Sequence, residues 1–172
     1  SPDGQVVACA WGEPARESLA LIPLADLVAQ RPNFRVLLSG QMVLPNTVTT
    51  FHATNIAFGS PCWSPDGRQL CCTRSLLESY LVHGDLVLVG SDGSNPRQVT
   101  NLGQNALACQ PCFSPDGKQI AFTVITGKAG PLKIEDLIVL NISANIFTMD
   151  LQTGKLTQLT DDGMSAEPAW GP

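Results

Sequence analysis

The sequence predicts an all-β fold made of three four-stranded β-propeller blades. Two observations predict it: a turn segment that recurs along the chain every fifty to sixty residues or so, and apolar runs of strand length between the copies. Recurrence in this range marks propellers and other repeat arrays, whose units are too thin to bury both of their apolar faces alone.

The turn comes first in the argument. Pro61-Cys-Trp-Ser-Pro-Asp-Gly-Arg-Gln-Leu70 returns as Pro111-Cys-Phe-Ser-Pro-Asp-Gly-Lys-Gln-Ile120, while Ser1-Pro-Asp-Gly4 and Pro168-Ala-Trp170 supply parts of two further copies. Repeat units of residues 1–63, 64–113 and 114–172 then account for all 172 residues as one domain. In each Ser-Pro-Asp-Gly, proline presets φ, aspartate bonds the backbone that follows, and glycine accepts a positive φ. The turn therefore joins the first strand of a unit to its second. Second strands are expected at 5–10, 68–73 and 118–123, and third strands at 19–24, 86–89 and 146–149. Fourth strands are expected at 35–38, 97–100 and 157–160, and one more first strand near 166–170. Apolar residues on both faces of these strands imply sheets sandwiched between sheets.

Composition narrows the function. A net charge of -5 and a pI near 4.8, with ten scattered basic residues, argue against a nucleic-acid partner, because phosphate neutralisation needs clustered Lys and Arg. No run approaches the roughly 18 to 20 apolar residues of a membrane helix, so no membrane insertion is expected. The opening residues also lack the pattern of a signal peptide, which suggests a mature, trimmed or cytosolic chain. Of six cysteines, Cys109 and Cys112 have the C-x-x-C form of a zinc half-site or redox pair, yet no second pair or histidines follow. Cys9 and Cys72 instead share one repeat position, and Cys62 and Cys112 another, where a thiol fills core space. No metal and no cofactor are expected.

The second and third units carry a resemblance. Asp92-Gly-Ser-Asn-Pro-Arg-Gln-Val-Thr100 is followed by Cys112-Phe-Ser-Pro-Asp-Gly-Lys-Gln-Ile-Ala-Phe-Thr123, and Ile146-Phe-Thr-Met-Asp150 by Lys155-Leu-Thr-Gln-Leu-Thr160. The pattern resembles the WD-like repeats of TolB, in which an aromatic-Ser-Pro-Asp-Gly turn precedes an Ile-Ala-Phe strand; the first unit departs most, with Pro23 where Asp150 sits. The resemblance implies a six-bladed ring. Three blades cannot close one, so the ring is expected from a two-fold homodimer, each C-terminal strand completing the partner's first blade, or from missing blades of a longer chain. The resemblance also implies a periplasmic home, whereas cysteines in core positions suit a reducing cytoplasm.

Long loops on a rigid scaffold carry recognition. Stretches 41–55, 75–84 and 127–141 read as loops of one face, with 132–140 a short helix or an added strand, and they hold Phe51, His52, Tyr80, His83, Lys133 and Glu135 as candidates for partner contact. A central channel would be lined by the residues before each inner-strand proline: Ser60, Gln110 and Glu167. Catalytic motifs are thin, since only two histidines occur and no nucleophile elbow, zinc-protease motif or phosphate-cradling glycine loop is present. Asp3, Asp66 and Asp116 form turns rather than an acid cluster. Asn141-Ile-Ser143 matches a glycosylation sequon, and Asp92-Gly-Ser-Asn95 lacks the downstream glutamate of a calcium loop. The expected function is a non-catalytic scaffold for protein–protein interaction. The alternative is the propeller domain of a prolyl-oligopeptidase-like hydrolase, or a propeller enzyme that binds a small ligand or metal.

Overall fold

The repeated turns fold as their chemistry dictates. Ser64 Oγ donates to Asp66 Oδ1 at 2.6 Å, and the same oxygen accepts the Arg68 backbone N–H at 3.1 Å. Ser114, Asp116 and Lys118 repeat this at 2.6 and 3.0 Å, and Ser1, Asp3 and Gln5 form the same arrangement. Each turn fixes the entry of the strand behind it.

The computed structural model describes residues 1–43 and 54–171. The first unit is a three-stranded antiparallel sheet of β1 (Val6–Trp11), β2 (Ser18–Pro23) and β3 (Arg35–Leu38), with helix α1 (Leu24–Val28) after β2. Strand β4 (Gln41–Val43) leads on to the second unit, β5 (Thr54–Trp63), β6 (Gln69–Glu78), β7 (Leu81–Gly90) and β8 (Arg97–Gln98). The third unit comprises β9 (Ala106–Phe113), β10 (Gln119–Gly127), β11 (Ile142–Asp150) and β12 (Leu156–Gln158), with helix α2 (Ile134–Ile138) between β10 and β11. Within each unit neighbouring strands pair antiparallel in chain order. A single parallel pair, Gly84 with Leu107, links the second sheet to the third. The approach there is close: a Cβ on Gly84 would lie 2.4 Å from the Arg74 carbonyl oxygen and 2.9 Å from Leu107 Cδ1.

The protein is thus mostly β, and its sheets do not close on themselves. Three expectations need correction. Residues 75–84 are not a loop, because β6 and β7 stay paired as far as Glu78 and Leu81, leaving Ser79 and Tyr80 as a two-residue turn. Leu76, Leu77, Leu81 and Val82 supply enough apolar contact to keep the ladder going. Residues 41–55 are not wholly a loop either, since Gln41, Met42 and Val43 pair with Ile56, Asn55 and Thr54. Residues 166–170 form no strand among the described residues; they lie along the third unit, bonded to it mostly through side chains. A strand needs a backbone ladder, and the bonds of 166–170 among the described residues run through side chains instead.

The core lies between sheets. Leu19 and Leu21 of the first unit pack against Ile56, Phe58, Leu70, Cys72, Val87 and Val89 of the second. On the other face of that second sheet, Cys71, Leu86 and Leu88 pack against Phe113, Ile120, Phe122 and Met149 of the third. Adjacent Cys71 and Cys72 serve opposite cores, as the period of two requires. Each fully buried Leu or Phe contributes about 1.5–3 kcal/mol. Both cores are shared, so neither belongs to one sheet.

Candidate functional site

Two of the expected recognition loops meet. The Ser79–Tyr80 turn, in which both residues have positive φ (48 and 77°), brings Tyr80 to the tip of the β6–β7 hairpin. The insertion after β10 reaches across to it. Val82 N–H donates to the Leu132 carbonyl, and Ile134 N–H to the Tyr80 carbonyl, each at 2.9 Å. Leu132, wholly buried against Val82 and Leu107, anchors this crossing. A two-stranded tie between units therefore fixes the rim.

Beside the tie lies a shallow cleft lined by Ser79, Tyr80, Leu81, Lys133, Ile134 and Glu135. Lys133 Nζ stands 3.4 Å from Glu135 Oε1, a pair in solvent that contributes little to stability but presents both charges. Asp136 holds the start of α2 by accepting the Lys133 backbone N–H at 3.0 Å and the Asn141 side-chain amide at 3.0 Å. These bonds, the backbone one first, lower its pKa from the ordinary carboxylate value. Of the two readings of 132–140, helix holds over Ile134–Ile138, directly after the antiparallel bridge of Lys133 with Leu81.

Tyr80, Lys133 and Glu135 thus come together. His83 does not join them: it sits within β7 opposite Leu76, half-buried, with a buried Nδ1 that lacks a hydrogen-bond partner among the described residues. Its placement in a loop is corrected by the same continuous hairpin. Phe51 and His52 lie outside the described residues. Sequence reasoning missed Ile138, Val139 and Leu140, which are 76, 69 and 73 % exposed at the end of α2 and just after it. The run of four apolar residues from Leu137 to Leu140 was the available signal.

Ser60, Gln110 and Glu167 occupy one repeat position and share an unusual backbone, with φ of 48, 54 and 55°. Ser60 and Gln110 sit in matching β-bulges, where two residues of the first strand oppose one of the second. The following proline disfavours an ordinary helical conformation here, and a bulge re-aims the side chain. Gln110 Nε2 donates to Glu167 Oε1 at 3.0 Å, and Thr123 Oγ1 donates to Gln110 Oε1 at 2.9 Å while accepting Glu167 N–H at 3.0 Å. This small network ties the 166–170 segment to the third unit. Thr73, the counterpart of Thr123, has a buried hydroxyl with no partner among the described residues; Ser60 is too short to play the part of Gln110.

The thiols are poor nucleophiles. Burial pushes Cys72 up to about 12, and burial followed by the Glu167 charge does the same for Cys109, so neither is a thiolate at neutral pH. Among the described residues no group of three His, Cys, Asp or Glu is arranged to hold a metal ion, and no helix is long and apolar enough to cross a membrane.

No family model matches the sequence, and no curated protein matches it. Solved structures do. The chain is similar to an Agrobacterium tumefaciens protein described as TolB, at 16 % identity and a TM-score of 0.42, over 92 % of this chain and 62 % of that one. TolB from Acinetobacter baumannii is similar at 14 % identity and a TM-score of 0.36, over 92 % and 41 %. Hydrazine synthase of Kuenenia stuttgartiensis is similar at 10 % identity and a TM-score of 0.46, over 95 % and 57 %. The chain spans less than two thirds of each of them.

Proposed function

We propose that this chain is a non-catalytic β-propeller scaffold, TolB-like in its repeat, that holds a protein partner on the rim formed by Tyr80 and the insertion after β10. One observation carries the reading: the insertion after β10 leaves three large apolar side chains in solvent, Ile138 to Leu140, and its start forms a cleft with exposed Tyr80 (74 %) and the Lys133–Glu135 pair. Soluble surfaces rarely keep such sets uncovered without use, and an aromatic anchor beside aliphatic side chains and a charged rim suits a protein surface. The rim's backbone ties hold the set in place, which limits the entropy lost on binding.

The test is retention of protein partners from the source lysate by the 172-residue chain and by a Tyr80→Ala, Ile138→Ser, Leu140→Ser variant. All three positions are exposed, so the variant should keep its circular dichroism and melting profile. Loss of the retained partner in the variant is the expected result; equal retention by both proteins would move the binding surface elsewhere.

A further inference from the structure

Cys62 stands directly opposite Cys71 in the β5–β6 ladder. Opposed residues of antiparallel strands put their side chains on one face, with Cα atoms about 4.5–5.5 Å apart. A disulfide spans about 4.4–6.8 Å between Cα atoms, so the backbone separation already suits one. The two thiols share a surrounding as well as a face. Cys71 is wholly buried in the core between the second and third units, and Cys62, half-buried, packs against the same core. Both sheets that enclose the pair are described, and it lies away from either end of the chain.

The other thiols lack this arrangement. Cys112 holds the same repeat position as Cys62, yet Ala121 stands opposite it. Cys109 is opposite Thr123, and Cys9 is opposite Ala20. Cys72 follows Cys71 but packs into the core on the other face of its sheet. Among the described residues, only the second unit sets one thiol across a ladder from another.

We infer that Cys62 and Cys71 are the site of an intramolecular disulfide, made by exchange with a low-molecular-weight disulfide, oxidised glutathione. Cys62, the more open of the two, loses its thiol proton, and its thiolate attacks one sulfur of the oxidant. A mixed disulfide forms and one glutathione thiolate leaves. Cys71, once deprotonated, attacks the Cys62 sulfur and displaces the second glutathione thiolate. Two thiol protons and two electrons thus leave the protein, and two molecules of reduced glutathione are released. Burial raises the Cys62 thiol pKa against the Phe113 backbone N–H, which lowers it. Burial, followed by Cys72 and Cys62, raises Cys71 much further. Formation is therefore slow, because the thiolate is the nucleophile, and the finished bond resists reduction, because its sulfurs are poor leaving groups. The bond acts as a staple, holding β5 to β6 where the bulge between Gly59 and Cys62 interrupts their ladder. The proposal does not depend on the rim.

Incubation of the folded 172-residue chain with oxidised glutathione, then alkylation in denaturant and peptide mapping by mass spectrometry, tests it. The expected product has lost two of its six alkylatable thiols and two hydrogens. Trypsin cuts after Arg68, between the two cysteines, so the bond shows as two linked peptides. Cys72→Ala removes the other thiol of the second peptide and should leave the link in place, as should Cys112→Ala. Cys71→Ala, a small change in side-chain size, should abolish the link and leave Cys62 as a glutathione adduct, with unchanged circular dichroism. Six free thiols after prolonged incubation, adducts that never resolve to a bond, or a link from Cys62 to Cys112 instead, would each overturn the inference.

Discussion

Asp66 and Asp116 each gather a serine hydroxyl and a backbone N–H onto one carboxylate oxygen. The hydroxyl first and the amide second hold both carboxyls below their ordinary pKa. A depressed carboxyl contributes stability above its unfolded pKa, about 3.9, and loses it as pH falls through the folded value. Asp3, Asp92, Asp136, Asp150 and Asp162 shift in the same direction, so the effects add. The melting temperature should therefore fall as pH drops from about 5 toward 2, and the Asp66→Asn, Asp116→Asn variant should show a shallower decline by circular dichroism. The role of these residues was legible in the sequence because a Pro-Asp-Gly turn satisfies its aspartate locally. The roles of Gln110, Thr123 and Glu167 were not, because their bonds join residues 13 to 57 positions apart.

Among the elements, the β6–β7 hairpin departs most from expectation. The repeat places the end of the second strand at 73 and leaves 75–84, with polar Ser75, Glu78 and Ser79, as a loop. Cross-strand pairing extends further, through Leu77 with Val82 and Glu78 with Leu81, since alternate residues need only one apolar face to hold a ladder. The tip carries its strain at Tyr80, whose φ of 77° suits glycine better. Tyr80→Gly should raise stability to urea by about 0.5–1 kcal/mol through release of that strain, while weakening partner retention because the exposed ring is lost. If both fall together, the ring packs more than it binds. The third fourth strand, β12, and the second, β8, are short for the opposite reason: their residues lie mostly exposed and have little to bury.

For the molecule as a whole, stability rests on cores that no single sheet owns. Phe122, 0 % exposed, stands between the second and third units with Phe147 stacked near it at 6.2 Å. Phe122→Ala should cost about 3–5 kcal/mol in urea unfolding. Because the second sheet lends one face to each core, the loss should appear as one earlier transition rather than as separate melting of the third unit. Two resolved transitions in the variant would mean that the cores are energetically separate.

The sequence determined the repeat, the turns and nine second-, third- and fourth-strand positions, all of which follow from local chemistry and a recurring motif. Its grouping of Tyr80, Lys133 and Glu135 with Phe51, His52 and His83 rested only on loops that share a side of the sheets. The tertiary structure decided that Leu132 anchors the crossing between those loops, that His83 belongs to a strand, and that Gln110, Thr123 and Glu167 share one hydrogen-bond network. Each of these depends on contacts between units distant in sequence, where packing rather than propensity sets the geometry.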